Sequence, residues 1–120
     1  MTANSEMLNG DGVSPLKPGD FDVALERVDD QYHLRLSGEL DLATAPWLRD
    51  HLVEIAADGP GHVVVDLSRL AFIDSTGLSV LVGGWKRLRE SGGDLVLRSP
   101  SPAVAKVLDI AGLHEVFPIS

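Results

Sequence analysis

Three consecutive β-branched residues, Val63-Val64-Val65, sit between two segments of helical periodicity and restrict the chain to a small set of folds. An apolar run without alternation marks a strand covered on both faces. Upstream, Leu48, Leu52 and Ile55 recur at i, i+4 and i+7 behind Thr44, a candidate N-cap. Pro46 stands in the first turn, where a missing N–H costs little, and Asp58-Gly59-Pro60-Gly61 ends the helix. Downstream, Asp66-Leu67-Ser68 is expected to close the strand, and a second helix is expected from Asp74 or Ser75 to about Ser91, before Gly92-Gly93. Leu95-Val96-Leu97 reads as another strand. A third helix starts at Ser101-Pro102, carries Val104, Val107, Leu108 and Ala111 on one stripe and stops at Gly112; Val116 to Ile119 reads as a last short strand.

The N-terminal part has a different period. Phe21, Val23 and Leu25 alternate with polar or small residues, and so do Tyr32, Leu34 and Leu36 beyond Asp29-Asp30. Two period-2 runs around a short polar turn predict a hairpin. The order is therefore β-β-α-β-α-β-α-β. Right-handed crossovers between successive strands predict a single α/β domain over residues 21–120, with helices packed on a mixed, mostly parallel sheet that begins with a hairpin. Residues 1–20, MTANSEMLNGDGVSPLKPGD, show no apolar period and are expected to form a disordered tail; a docking arm or regulatory segment is the functional alternative.

Composition removes several function classes. Ten Lys and Arg against 18 Asp and Glu leave a net charge of −8, the wrong sign for a protein that displaces counterions from nucleic acid. Zero cysteines rule out disulfides, thiolate zinc sites and cysteine nucleophiles. No apolar run approaches the roughly 20 residues of a membrane span, and the first 20 residues lack the basic start and apolar stretch of a secretory signal. A cytoplasmic protein without membrane contact is expected. His33, His51, His62 and His114 are scattered without metal-ligand spacing, and no nucleotide loop or nucleophile elbow occurs, so neither a cofactor nor an enzyme is expected. Lys86, Arg87 and Arg89 read as a solvated helix face.

The informative segment is Phe72-Ile73-Asp74-Ser75-Thr76-Gly77-Leu78, which puts an acid, two hydroxyls and a glycine where a loop becomes a helix. It reads in two ways. Asp, Ser and Thr cap helices by accepting from orphan N–H groups. A hydroxyl there is also a natural switch, because a phosphoryl group adds about −1.5 to −2 charges beside the positive end of the helix dipole. In the helix itself Leu78, Leu81, Val82, Trp85 and Leu88 form the predicted buried stripe, with Thr76, Val80, Gly83 and Arg87 opposite and Ser75 at the border. Gly83-Gly84 should cost about 1 kcal/mol each relative to Ala. They are explained by a visiting surface, by packing of Gly84 on a neighbouring helix, or by both.

These segments resemble the STAS domain, in particular the anti-sigma-factor antagonists of bacteria. The resemblance covers about residues 21–119 and is carried by Gly38-Glu39-Leu40-Asp41, Val64-Val65-Asp66-Leu67-Ser68, the 72–78 segment, Ala111-Gly112-Leu113 and Val116-Phe117-Pro118-Ile119. It implies a protein that, unphosphorylated, binds an anti-sigma factor that is also a serine kinase, and so frees a sigma factor. The kinase would phosphorylate Ser75 and abolish binding; a PP2C-type phosphatase would restore it. By the same resemblance Asp74 orients the hydroxyl or joins the partner surface, Thr76 and Gly77 shape the turn, and Glu39 and Asp41 lie in a loop that contacts the partner. Val80 and Gly83 extend that surface along the helix. The 20-residue leader is longer than the family core requires.

Two other readings compete. A receiver domain would use an acidic pair and an Asp phosphoacceptor, superficially Asp29-Asp30 and Asp66, but it needs a helix after the pair where this chain has a second alternating strand. A STAS scaffold subunit of a stress-signalling assembly or of a lipid transporter would lack a free anti-sigma partner.

Overall fold

The computed structural model describes residues 21–113 and 119. Strands β1 (Asp22–Val28) and β2 (Gln31–Leu40) form the hairpin; α1 (Ala45–Ala57), β3 (His62–Ile73), α2 (Ser75–Glu90), β4 (Asp94–Arg98) and α3 (Pro102–Ile110) follow. The four strands lie in the order β1-β2-β3-β4. β1 is antiparallel to β2, and both β2–β3 and β3–β4 are parallel. Asp29, at φ 56°, supplies the left-handed residue of the hairpin turn. This is the α/β domain that the sequence predicts.

One face of the sheet is sealed. Leu34, Leu36 and Leu40 of β2, Val63, Val65 and Leu67 of β3 and Leu95 and Leu97 of β4 are buried there with Leu48 and Leu52 of α1, Leu81 and Leu88 of α2, and Val104 and Leu108 of α3. At about 25 cal/mol per Å², each of these side chains contributes roughly 1.5–3 kcal/mol to holding the helices on the sheet. Leu78, Val82 and Trp85 pack at the margin of this core rather than inside it. Ala111, expected on the α3 stripe, is exposed: α3 ends one residue earlier, and Ala111 is its C-cap.

The expectation that Val63-Val64-Val65 is covered on both sides does not hold. Val64 is half-buried, flanked by His33 and Val96 in the neighbouring strands. β-branched side chains suit a pleated surface whichever way they point, so the run reflects strand preference as much as burial. The open face also carries a row of charges. Glu26 accepts from Arg35 at 3.0 Å, Arg35 is the register partner of Asp66, and Asp66 is that of Arg98. Partial burial pushes the Asp66 carboxyl up, but it is outweighed by hydrogen bonds from the Ser68 backbone and side chain and by the charges of Arg98 and Arg35, so the net shift is down. A depressed carboxyl contributes stability above the ordinary carboxylate range and loses it as pH falls through its folded value. Asp66→Asn should therefore be less stable than the parent at pH 7 in urea denaturation, with the gap closing on acidification through the carboxylate range; a gap that persists in strong acid would contradict this.

β3 does not close at Asp66-Leu67-Ser68 either; it continues to Ile73. Its register against β2 shifts between Arg35 and Ser37 and again between Gly38 and Glu39. From the Arg35–Asp66 pair to the Leu40–Ile73 pair, β2 advances by five residues and β3 by seven. The two extra residues replace alternation by the three-residue spacing of buried Leu67, Leu70 and Ile73, and this hides the strand from a period-2 reading. Gly38 meets the second shift with φ 89°, a conformation that side chains other than glycine's rarely adopt. The expected strand at 116–119 lies outside the described residues except for Ile119, which forms a parallel bridge to Leu97. The expected tail, residues 1–20, lies wholly outside them. No helix among the described residues is long and apolar enough to cross a membrane.

Candidate functional site

β2 and β3 are parallel, so their carboxyl ends lie together and the loop 41–44 meets the start of α2. Asp74 joins the two. Its extended backbone (φ −110°, ψ −175°) makes it the N-cap of α2, and Oδ1 accepts from the Gly77 N–H at 2.9 Å. Oδ2 accepts from the Leu42 N–H at 3.2 Å, and the Asp74 N–H donates to the Leu40 carbonyl at 3.1 Å. One carboxylate thus caps the helix and anchors the neighbouring loop.

The loop is braced from within. Asp41 Oδ1 accepts from the N–H groups of Ala43 (3.0 Å) and Thr44 (3.1 Å). Thr44, only 2% exposed, accepts from the Asp41 N–H at 2.9 Å and lies 2.7 Å from the Glu39 carbonyl and 3.2 Å from Asp41 Oδ1. A hydroxyl has one proton, and the shorter contact takes it, so Thr44 donates to Glu39. Thr44 holds the N-cap position of α1 as expected, yet its side chain makes no cap bond to α1 and instead ties the loop shut.

Ser75, the first residue of α2, is exposed, and the capping bond is made by Asp74 beside it. Glu39 is exposed, Asp41 and Asp74 are half-buried, and Thr76 and Val80 are half-buried on the α2 surface, with Gly83 exposed further along. The structure brings Glu39 and Asp41 together with Asp74 and Ser75 through the Asp74–Leu42 bond. Gly77 faces inward. A Cβ there would come within 2.8 Å of Leu40 Cγ, 2.9 Å of Ile73 Cγ1 and 3.0 Å of the Leu40 carbonyl oxygen, so this residue acts by close approach to β2 and β3. The two glycines inside α2 differ. A Cβ on Gly84 would meet Leu52 Cδ1 of α1 at 2.5 Å, while one on Gly83 would meet nothing within 4 Å.

Sequence reasoning missed Leu42, which is 75% exposed beside Asp74. Its signal was available: a lone leucine in a polar loop, outside any apolar period. It also missed the α1 side of a groove of about 200 Å³ that Arg49 and Val53 share with Thr76, Val80, Gly83 and Arg87 of α2.

Asp74→Asn separates the two tasks of the carboxylate. With its oxygen kept on Gly77, the amide nitrogen would face the Leu42 N–H, donor against donor. The variant should lose about 1 kcal/mol in urea denaturation, with faster hydrogen exchange at Leu42. An Asn variant as stable as the parent, with Leu42 still protected, would show that the second bond contributes nothing.

The chain belongs to the STAS family: the STAS domain family model matches residues 22–120. Over 100 residues it is 33% identical to the anti-sigma-B factor antagonist of Bacillus subtilis (strain 168), an alignment covering 83% of this chain and 91% of that protein. An anti-sigma factor antagonist from Mycobacterium paratuberculosis has a similar crystal structure, with a TM-score of 0.73 at 33% identity, covering 85% of this chain and 86% of that one. The Bacillus cell fate determinant SpoIIAA in its phosphorylated form aligns with a TM-score of 0.66 at 28% identity, covering 82% of this chain and 91% of that one.

Proposed function

We propose that this chain is an anti-sigma factor antagonist that works as a binding module rather than an enzyme, and that Ser75 is its phosphoacceptor. Unphosphorylated, it binds an anti-sigma factor that is also a serine kinase, presenting Glu39, Asp41 and Leu42 of the loop with Asp74, Thr76, Val80 and Gly83 of α2; Gly77 seats the helix beneath them. A PP2C-type phosphatase returns the modified form to the binding state. The observation that carries this reading is the division of labour between Asp74 and Ser75. The carboxylate makes the helix cap, which leaves an exposed hydroxyl at the helix start with no structural duty. The family membership and the existence of the related SpoIIAA, an anti-sigma factor antagonist, in a phosphorylated form support it.

The test is incubation with the cognate anti-sigma kinase and ATP, with phosphopeptides mapped by mass spectrometry. Acid-stable phosphate on Ser75, absent from Ser75→Ala, is the expected result. No label on Ser75 with any candidate kinase would favour the scaffold role, and acid-labile phosphate on Asp66 would overturn the assignment to Ser75.

A further inference from the structure

The groove between α1 and α2 differs from the rest of this acidic protein. Its floor is apolar, from Val53, Val80 and the backbone of Gly83, and two guanidinium groups, Arg49 and Arg87, line it. Both helices leave the carboxyl ends of parallel strands and so run in the same sense. Arg49, near the start of α1, therefore lies toward the Ser75 end, and Arg87, late in α2, lies toward the other. From Thr76 to Arg87 the helix rises about 16 Å.

The chain enters the fold at the Ser75 end. Asp22 pairs with Ser37, and two and three residues further along β2, Glu39 and Leu40 pair with Phe72 and Ile73. Phe21 is 3% exposed, so the 20 preceding residues start from a fixed point there. They carry three carboxylates, Glu6, Asp11 and Asp20, against one lysine, Lys17, with apolar Met7 and Leu8 between the first two acids. Gly84 packs on Leu52, so Arg49 and Arg87, each three residues from that contact, lie about 9 Å apart along the helices, a span that the chain from Glu6 to Asp11, up to about 16 Å when extended, can bridge. The ten steps from Asp11 to Phe21 reach about 33 Å, enough to cross two strand spacings of about 4.8 Å and a helix layer of about 10 Å. A segment tethered this closely acts at an effective concentration in the millimolar range, above that of any free partner of similar sequence.

We propose that residues 6–11 of this same chain dock in the α1–α2 groove, with Asp11 toward Arg49, Glu6 toward Arg87, and Met7 and Leu8 on the Val53–Val80–Gly83 floor. The pliable methionine side chain suits a shallow apolar floor. The occupant is intramolecular and needs no partner to seat, but it covers Val80 and Gly83, which the proposed function also presents to the anti-sigma factor, so the two would exclude one another.

Zero native cysteines allow a clean test in the full chain. A nitroxide on Ser5→Cys should broaden the backbone amides of Val53, Val80, Gly83 and Arg87, and Met7→Ser with Leu8→Ser in the same labelled chain should restore their intensity severalfold. Arg87→Glu, exposed and outside the core, should restore it as well. Broadening confined to residues 21–28 and 36–42, or insensitive to these substitutions, would overturn the proposal. So would equal broadening when a spin-labelled, isotopically silent chain is mixed with an unlabelled, ¹⁵N-enriched one, since the occupant would then be a second copy. No kinase or partner enters the experiment, so its failure leaves the Ser75 reading untouched, and the reverse is equally true.

Discussion

Phosphorylation of Ser75 should weaken binding to the anti-sigma kinase by at least about 30-fold while leaving the fold intact. A charge left uncompensated in an interface costs about 2–5 kcal/mol, and each 1.4 kcal/mol is a factor of ten in affinity. The phosphoryl group also adds to the carboxylates of Glu39, Asp41 and Asp74 already grouped at that end of the molecule. Within the protein the same charge meets the positive end of α2, worth roughly 0.3–1 kcal/mol at an exposed site and opposed by the Asp74 carboxylate. The two nearly cancel, so the thermal midpoint of the free protein should move by only a few degrees. Ser75→Ala should bind within about twofold of the parent, because its hydroxyl does not make the cap. Ser75→Glu, with one negative charge in place of nearly two, should lose about tenfold. Calorimetric titration of the four forms against the kinase checks all of this; phosphorylated protein that binds as tightly as the parent would end the switch reading.

Gly77→Val should destabilise the protein by about 2–3 kcal/mol, the upper range for forcing extra atoms into a packed site. The Cβ alone would come within 3.0 Å of the Leu40 carbonyl oxygen, which is backbone and cannot turn aside, and closer still to Leu40 Cγ and Ile73 Cγ1. For a domain of this size that corresponds to roughly 10–20 °C in the thermal midpoint. The shift falls where Asp74 joins the helix to the loop, so kinase binding should suffer even at temperatures where the variant is folded. Gly83→Ala is the matched control. It meets open space in the middle of a helix and should stabilise by about 0.5–1 kcal/mol. If both glycines tolerated substitution equally, the start of α2 would not be seated by contact with Leu40 and Ile73.

The order of elements was legible because each helix announced itself by period and punctuation. Leu48, Leu52 and Ile55 are buried as spaced, Pro46 lies in the first turn of α1, and α2 starts at Ser75 after its Asp74 cap. Both readings of the 72–78 segment proved compatible because they fall on different residues: Asp74 caps, and Ser75 stays outside. The two explanations of Gly83-Gly84 also separate, one glycine packing on Leu52 and the other facing open space. What local sequence could not carry was information held between strands. The end of β3 was hidden because its register slips against β2, a property of the pair rather than of either strand. Thr44 looked like a helix cap because a cap and a loop brace use the same hydroxyl, and only the position of the Glu39 carbonyl tells them apart. The groove needed α1 and α2 side by side, which no single periodicity describes.

The slipped register of β3 also sets which lengths of chain the molecule tolerates. Leu67, Leu70 and Ile73 are buried at three-residue spacing, so deleting one residue between Ser68 and Phe72 would break that spacing and displace Ile73 and the Asp74 cap from their seats. Removing two would pull Asp74 back from Leu42 by the length of a dipeptide. Insertions and deletions should therefore be absorbed in the β1–β2 turn or after Gly112, while the stretch leading to Ser75 behaves as a ruler of fixed length.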